Sequence, residues 1–377
     1  MRASLFVYEQ FKSDSDTFES NFKDRTTEII NYSVKVHSTS VGEFSLTVKQ
    51  PMDILPDNIL RIVDMHHVWW LIARHIVYDD ENLTMTVTGT DLKGLLQYRN
   101  TLYASEAQDV GTYGYDVVQG YTGTCCVHYV KNNCIDPEVP QRKIYGLTYS
   151  SSSLNKGKPS TTYRARFESV SDVVHKICEN DGVCWDIVGD LHTNKFVFFV
   201  YEPTDRSAEQ TEHNQVVFSI TRKNVLKFQR EIGNTEHKNV FYATKSGGTL
   251  ESDAYTAVVY RDETTIPSGL ERKEMHLNVS CDEFSEVDMY ALYEATDYVE
   301  TDSIQISVSN VQEFEKEYFL GDKITAFDYR RQAILNTFVK SVQYSRGNGK
   351  ESLSLTFGTE KPKLLRKIIN KIENGVK

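Results

Sequence analysis

Most apolar residues of this chain alternate with polar ones, the period of strands that bury one face. Ile29–His37 (IINYSVKVH) and Val41–Val48 (VGEFSLTV) show it most cleanly. In the second of these, Val41, Phe44, Leu46 and Val48 are core candidates, and Gly42 marks a bulge or bend. Leu5–Tyr8, Val216–Ile220, Asn239–Thr244, Ala254–Tyr260 and Ile304–Val308 read the same way. Val68–Ala73 breaks the rule by being apolar at nearly every position. Trp69, Trp70, Leu71 and Ile72 therefore belong to a strand covered on both faces, in a core or in an interface. Helical text is sparse. It covers Gly123–Asn132, Val170–Glu179 and Glu283–Thr301, the last with a stripe of Phe284, Val287, Tyr290, Ala291 and Tyr298 interrupted at Glu294. Pro362–Lys377 ends the chain as a cationic amphipathic helix with Leu364, Leu365, Ile368, Ile369, Ile372 and Val376 on one face.

One stretch occurs twice. Asp57–Leu96 and Asp322–Leu365 each begin with Asp and a short apolar strand, then a polar turn and a long apolar strand ending in an aromatic (Tyr78, Tyr344). A charged hairpin and a Thr/Ser-rich alternating strand follow, closing on Gly89-Thr90-Asp91 or Gly358-Thr359-Glu360 and then a Leu-Leu pair. Strand parity slips by one residue between the copies. A repeated β-meander implies two similar antiparallel β-barrels in one mainly β chain.

At 377 residues the chain exceeds one core. Residues 1–96 form a first barrel, and 97–213 form an inserted α+β domain around the two inner helices. Its 22 Tyr and 18 Phe suit half-buried pleated surfaces. A net charge of −11 argues against specific nucleic-acid binding, which needs a basic face, and suits a surface that DNA passes without sticking. Ser4–Tyr8 is shorter than the apolar core of a secretory signal, and no apolar run approaches the ~18 residues of a membrane span. The expectation is a protein made in the bacterial cytoplasm with no stable membrane insertion.

Candidate chemistry is thin. Cys125, Cys126, His128 and Cys134 resemble metal ligands superficially, but a structural zinc site wants two spaced pairs, and positions two apart on a helix do not face each other. Cys178 and Cys184 enclose a turn and could bond only on close approach; reduced, partly buried thiols are the simpler reading. His66, His67 and His75 flank the tryptophan strand as turn or surface residues. No phosphate loop, dinucleotide fingerprint or zincin helix is present. The sequence thus assigns no catalytic residue, metal or cofactor. Trp69, Trp70, Leu364, Leu365, Ile368, Ile369 and Ile372 stand as interface candidates.

Several short pieces, in order, resemble a known family. They are Gly42–Val48; Val87–Leu92 with Leu95, Leu96 and Arg99; Val216–Ser219 with Asn224; Lys238–Val240; and Gly269–Glu274. Together they are similar to the tail hub, or tail-associated minor tail, proteins of long-tailed phages, prophages and phage-tail-like bacteriocins. That resemblance implies two tube-protein-like barrels in one chain and three chains in a ring. The second barrel would be built from 214–246 and 304–360 and interrupted by a 247–303 insertion whose helix lies near 283–301, with 361–377 as the tail helix. It also implies the partners: a homotrimer meeting a tail tube or distal tail protein, a central spike and other baseplate proteins. The alternative is a peptidoglycan-degrading tail enzyme using the 97–213 insert.

Overall fold

The computed structural model describes residues 3–49, 52–102, 116–159, 161–235, 237–245, 256–260, 265–279, 287–298, 301–330, 332–347 and 349–358. The first strands are β1 (Ser4–Tyr8), β2 (Phe22–Thr26), β3 (Ile29–His37), β4 (Glu43–Lys49), β5 (Ile59–Val63), β6 (Val68–Asp79) and β7 (Thr84–Asp91). A 3-10 turn over Leu92–Tyr98 follows, then β8 (Asp116–Gly120), α1 (Thr122–Val130), β9 (Leu147–Tyr149) and β10 (Thr161–Ala165). Next come α2 (Val170–Asp181), β11 (Cys184–Asp190), β12 (Lys195–Tyr201), β13 (Val217–Ser219) and β14 (Val225–Gly233). The remainder is β15 (Val240–Lys245), β16 (Thr256–Tyr260), β17 (Glu274–Val279), α3 (Val287–Glu294), β18 (Thr301–Val308), β19 (Lys323–Asp328), β20 (Ala333–Gly347) and β21 (Lys350–Gly358).

Thirteen strands share one sheet along the path β14-β18-β21-β20-β3-β4-β7-β6-β5-β1-β2, with β13 paired to β19 and β19 to β20. The repeated segments are β5-β6-β7 and β19-β20-β21, each a run of neighbouring sequential strands. Backbone hydrogen bonds fix their true alignment. The Asp57 N–H donates to Ala73 O and the Ala73 N–H to Asn58 O; the Gly321 N–H donates to Val339 O and the Val339 N–H to Asp322 O. Asp57 therefore matches Gly321, not Asp322, and the apparent parity slip begins there. Both residues hold left-handed backbone, φ 67° and 94°. Glycine adopts that region freely, whereas Asp57 bears strain for it.

The likeness extends past the meanders. The Lys49 N–H donates to Glu28 O, and the Ser309 N–H donates to Asn224 O at the same point of the β14–β18 pair. The six-strand order β3-β4-β7-β6-β5-β1 thus has a counterpart in β14-β18-β21-β20-β19-β13. One difference is that β1 lies antiparallel to β5, while β13 lies parallel to β19. Among the described residues the pairing closes no barrel. In this mainly β fold the 13-stranded sheet carries the repeat twice, with β20 hydrogen-bonded to β3 where the copies meet, and three smaller sheets, β8-β10, β9-β12-β11 and β16-β15-β17, are paired separately from it.

Two strands in particular escape the alternation rule, β2 and β14. β2 (FKDRT) and β14 (VLKFQREIG) end the sheet path, and a strand paired on one side only has little apolar surface to bury.

The chain divides into two units, Met1–Phe228 with Gln305–Thr356, and Gln229–Ile304 with Phe357–Lys377. In the first, residues of the 97–213 segment join the core of the first strands. Tyr129, Val174, Trp185 and Phe198 share one apolar cluster with Tyr8, Phe11, Phe18, Leu95 and Leu96. In the second, β15 pairs antiparallel with β16 and parallel with β17. There α3 supplies Val287 and Ala291 to a core with Phe241, Leu277 and Val279. The tail helix expected over Pro362–Lys377 lies outside the described residues.

Trp69 and Trp70 point to opposite faces of β6, and each is covered by its own chain. Trp69 lies 5.3 Å from the His67 ring and 5.9 Å from Tyr344. Trp70 stacks on Tyr8 at 6.0 Å and meets Phe18 at 4.9 Å, with Arg61 over its ring at 5.5 Å. A Trp70→Asp substitution would lose that packing and place a carboxylate among aromatic rings. It should cost about 3–5 kcal/mol in chemical denaturation. A loss under about 1 kcal/mol would show that the ring contributes nothing to the core.

Candidate functional site

The place where the two copies join is the most elaborated polar feature of the sheet. β3 runs antiparallel to the last part of β20, from His37 opposite Ser341 to Asn31 opposite Gly347. Tyr32 and Tyr344 face each other at 5.8 Å between ring centres, and the Ser33 and Ser345 hydroxyls share a 2.8 Å hydrogen bond. The Tyr32 hydroxyl donates to Asp64, which also accepts the backbone N–H groups of His66 and His67 at 2.8 Å. Burial opposes charge on Asp64, yet these donors hold its carboxyl below the ordinary carboxylate range. Burial, with Asp64 beside it, pushes the Tyr32 phenol well up. Arg346 completes the network at 3.8 Å from Asp64 and 3.4 Å from Glu351, and buried His67 bonds Glu315 at 2.9 Å.

A second cluster brings together two of the quoted pieces, Gly42–Val48 and Val87–Leu92. Asp91, at the end of β7, accepts the Gly42 N–H at 3.0 Å and lies 3.5 Å from the Lys93 ammonium. Lys93 is fully buried, donates to the His37 carbonyl, and sits over the Trp185 ring at 5.5 Å. A side chain at position 42 would meet the Lys35 carbonyl at 2.4 Å and Asp91 Oδ2 at 2.6 Å, so only glycine lets Asp91 reach that backbone. Burial pushes the Asp91 carboxyl up against the pull of Lys93. Asp186, next to Trp185, is pushed up to about 6 by burial, with Lys93 pulling the other way and Asp91 adding to the rise. These groups tie the β3–β4 turn, the β7 end and the insert together.

The remaining sequence candidates separate. Cys125, Cys126, Cys134, Cys178 and Cys184 are free and buried, and Cys281 lies outside the described residues. Cys178 lies 3.7 Å from Cys126 and does not bond Cys184. Burial raises the Cys125, Cys134 and Cys184 thiols to about 12, far from nucleophilic thiolate. His128 turns from the cysteines to Asp116 at 2.7 Å. Among the described residues no group of three or more His, Cys, Asp or Glu could hold a metal. In an open groove of the insert, Glu202 pairs with Lys156 at 3.5 Å and Asp205 with Lys323 at 3.0 Å. Leu364, Leu365, Ile368, Ile369 and Ile372 lie outside the described residues.

The comparisons agree with this picture of an assembled sheet. The sequence model of the family described as "Siphovirus ReqiPepy6 Gp37-like protein" matches residues 27–359. The chain belongs to that family. Its fold is shared with the 43 kDa tail protein of prophage MuSo2 from Shewanella oneidensis, at TM-score 0.55 and 11% identity over 94% of this chain and 98% of that one. The tail protein from Neisseria meningitidis MC58 gives TM-score 0.54 at 12% identity, covering 96% and 97%. The prophage tail protein gp18 from Listeria monocytogenes EGD-e gives 0.51 at 11%, covering 98% of each. No curated protein matches. The resemblance to phage tail proteins drawn from the short sequence pieces is thus met in family and in fold.

Two measurements probe the buried cluster of this Gp37-like chain. Lys93→Met leaves Asp91 buried without its cation and should cost about 3–5 kcal/mol in chemical denaturation, part of it recovered by adding Asp91→Asn. For Asp186 the folded value lies above the usual 3.8, so its contribution is present below about pH 4 and is lost as pH rises through about 6. Asp186→Asn should therefore match the wild type near pH 4 and exceed it by about 1–2 kcal/mol at pH 8, a figure discounted for partial solvent exposure. Equal stability of the two proteins at both pH values would refute the assignment.

Proposed function

We propose that this Gp37-like chain is a structural hub protein of a phage tail or tail-like particle. Three copies form a ring of six repeated sheet units that meets a six-fold tube or distal tail protein on one side and a central spike on the other. The observation that carries the reading is the duplication itself: two six-strand arrangements with matching backbone hydrogen bonds, joined by β3 and β20 in one sheet. A chain with two like units can present six similar surfaces from three copies, which reconciles a six-fold neighbour with a three-fold one. The closed tube-like barrels expected from the resemblance belong to this proposal, completed in the assembly. Tail proteins of the same fold support it, and no observation favours a peptidoglycan-degrading activity in the insert.

Native mass measurement of the purified full chain tests the proposal. A trimer is expected, with six-fold pseudo-symmetric rings in electron microscopy. A monomer at every concentration, together with rings absent from purified particles, would refute it.

A further inference from the structure

The ring proposed above requires surfaces that close it, and the sheet shows which they are. Inside one chain, β3 covers the edge of β20 beyond Val339. The hydrogen-bond correspondences already given match β20 to β6, with Val339 at Ala73, and β3 to β14, each nine residues long. Beyond Ala73, β6 pairs with β7 on one side; on the other side no strand lies against it among the described residues. β14 ends the sheet path. Among the described residues each chain therefore carries one internal junction and also an uncovered copy of each of its two halves.

Exposure follows the same logic. Tyr344, lying under β3, is 0% exposed, while its counterpart Tyr78 is 55% exposed and the adjacent Val77 50%. On β14, Leu226 is 73% and Ile232 64% exposed. Apolar side chains on unpaired strand edges invite a further strand.

We infer that residues 75–79 of β6 in one copy receive β14 of a second copy as an added antiparallel strand, reproducing the β3–β20 junction between chains. Carried across, the internal register sets Gly233 opposite His75, Ile232 opposite Ile76, Arg230 opposite Tyr78 and Gln229 opposite Asp79. It also brings the exposed Lys227 of one copy to the acidic hairpin Asp79-Asp80-Glu81 of the next, so charge complements the apolar match. The two edges are different surfaces, so the contact is head-to-tail, and a rotation of one third of a turn per chain closes it into the three-copy ring. This inference rests on the ring reading, and the test separates the two.

The full chain would carry Ile76→Cys with Ile232→Cys, or Val77→Cys with Glu231→Cys. Neighbouring pairs of an antiparallel ladder alternate in spacing, so one of the two should close better. The five described native cysteines are buried and give little background. Under mild oxidation, covalent trimers are expected from at least one pair, and none from the out-of-register control Ile76→Cys with Gln229→Cys. Independently, Lys227→Glu should weaken association about two- to fivefold, the size of an exposed ion pair, and Glu81→Lys in the same chain should restore it. A wild-type trimer whose in-register cysteines stay unlinked, and whose charge swap changes nothing, keeps the ring and overturns these edges. A chain that is monomeric throughout overturns both.

Discussion

The ladder between β3 and β20 is the constraint on which the rest of this fold depends. It hydrogen-bonds residues 31–37 to residues 341–347, so the first and last parts of the chain must find each other before either copy of the repeat is complete. Contacts separated by some three hundred residues carry a large loop-closure cost, and something must repay it. The repayment is visible at the junction: a tilted tyrosine pair, a shared serine hydrogen bond, and an Asp64 whose charge is held by a phenol and two backbone donors. A buried polar network is stabilising only when its donors and acceptors match, which makes the junction selective as well as strong. Joining the copies in one polypeptide makes this pairing intramolecular.

Much of the repeat was legible because its punctuation has physical causes. At the closure of the first copy, Asp91 reaches the Gly42 backbone and the Lys93 ammonium lies beside it over Trp185. The register was less legible. Sequence matching aligned the two aspartates, Asp57 and Asp322, by chemical identity. The backbone instead equates Asp57 with Gly321, since both positions need left-handed φ. Side-chain likeness and backbone likeness diverge at such a turn, and only hydrogen bonds distinguish them. Edge strands were hidden for a related reason. β2 and β14 have little apolar surface to cover within one chain, so they lack the alternation that betrays a strand.

The insert shows a different limit. Its helices fall close to where periodicity puts them, but periodicity says nothing about which core they serve. Trp185 and Phe198 pack with Tyr8, Phe18 and Leu96, so the segment stabilises the first copy of the repeat. The paired cysteines are part of the same apolar packing, and the high thiol pKa values are consequences of that burial.

The tryptophan strand draws these threads together. Its first half is too apolar for a wet face, and both of its faces are indeed occupied, Trp69 toward Tyr344 and Trp70 toward Tyr8 and Phe18. Hydropathy directs the eye to that half and away from the next five residues, where His, Ile, Val, Tyr and Asp read as an unremarkable strand end. Yet it is there, at Val77 and Tyr78, that apolar area stays exposed in a single chain while the matching Tyr344 is buried. The strongest apolar signal therefore marks the core, and the weaker one marks the edge proposed for assembly. A residue exposed in one copy of a repeat and buried in the other is better evidence for an interface than its hydrophobicity alone, because the second copy shows what the covered state looks like.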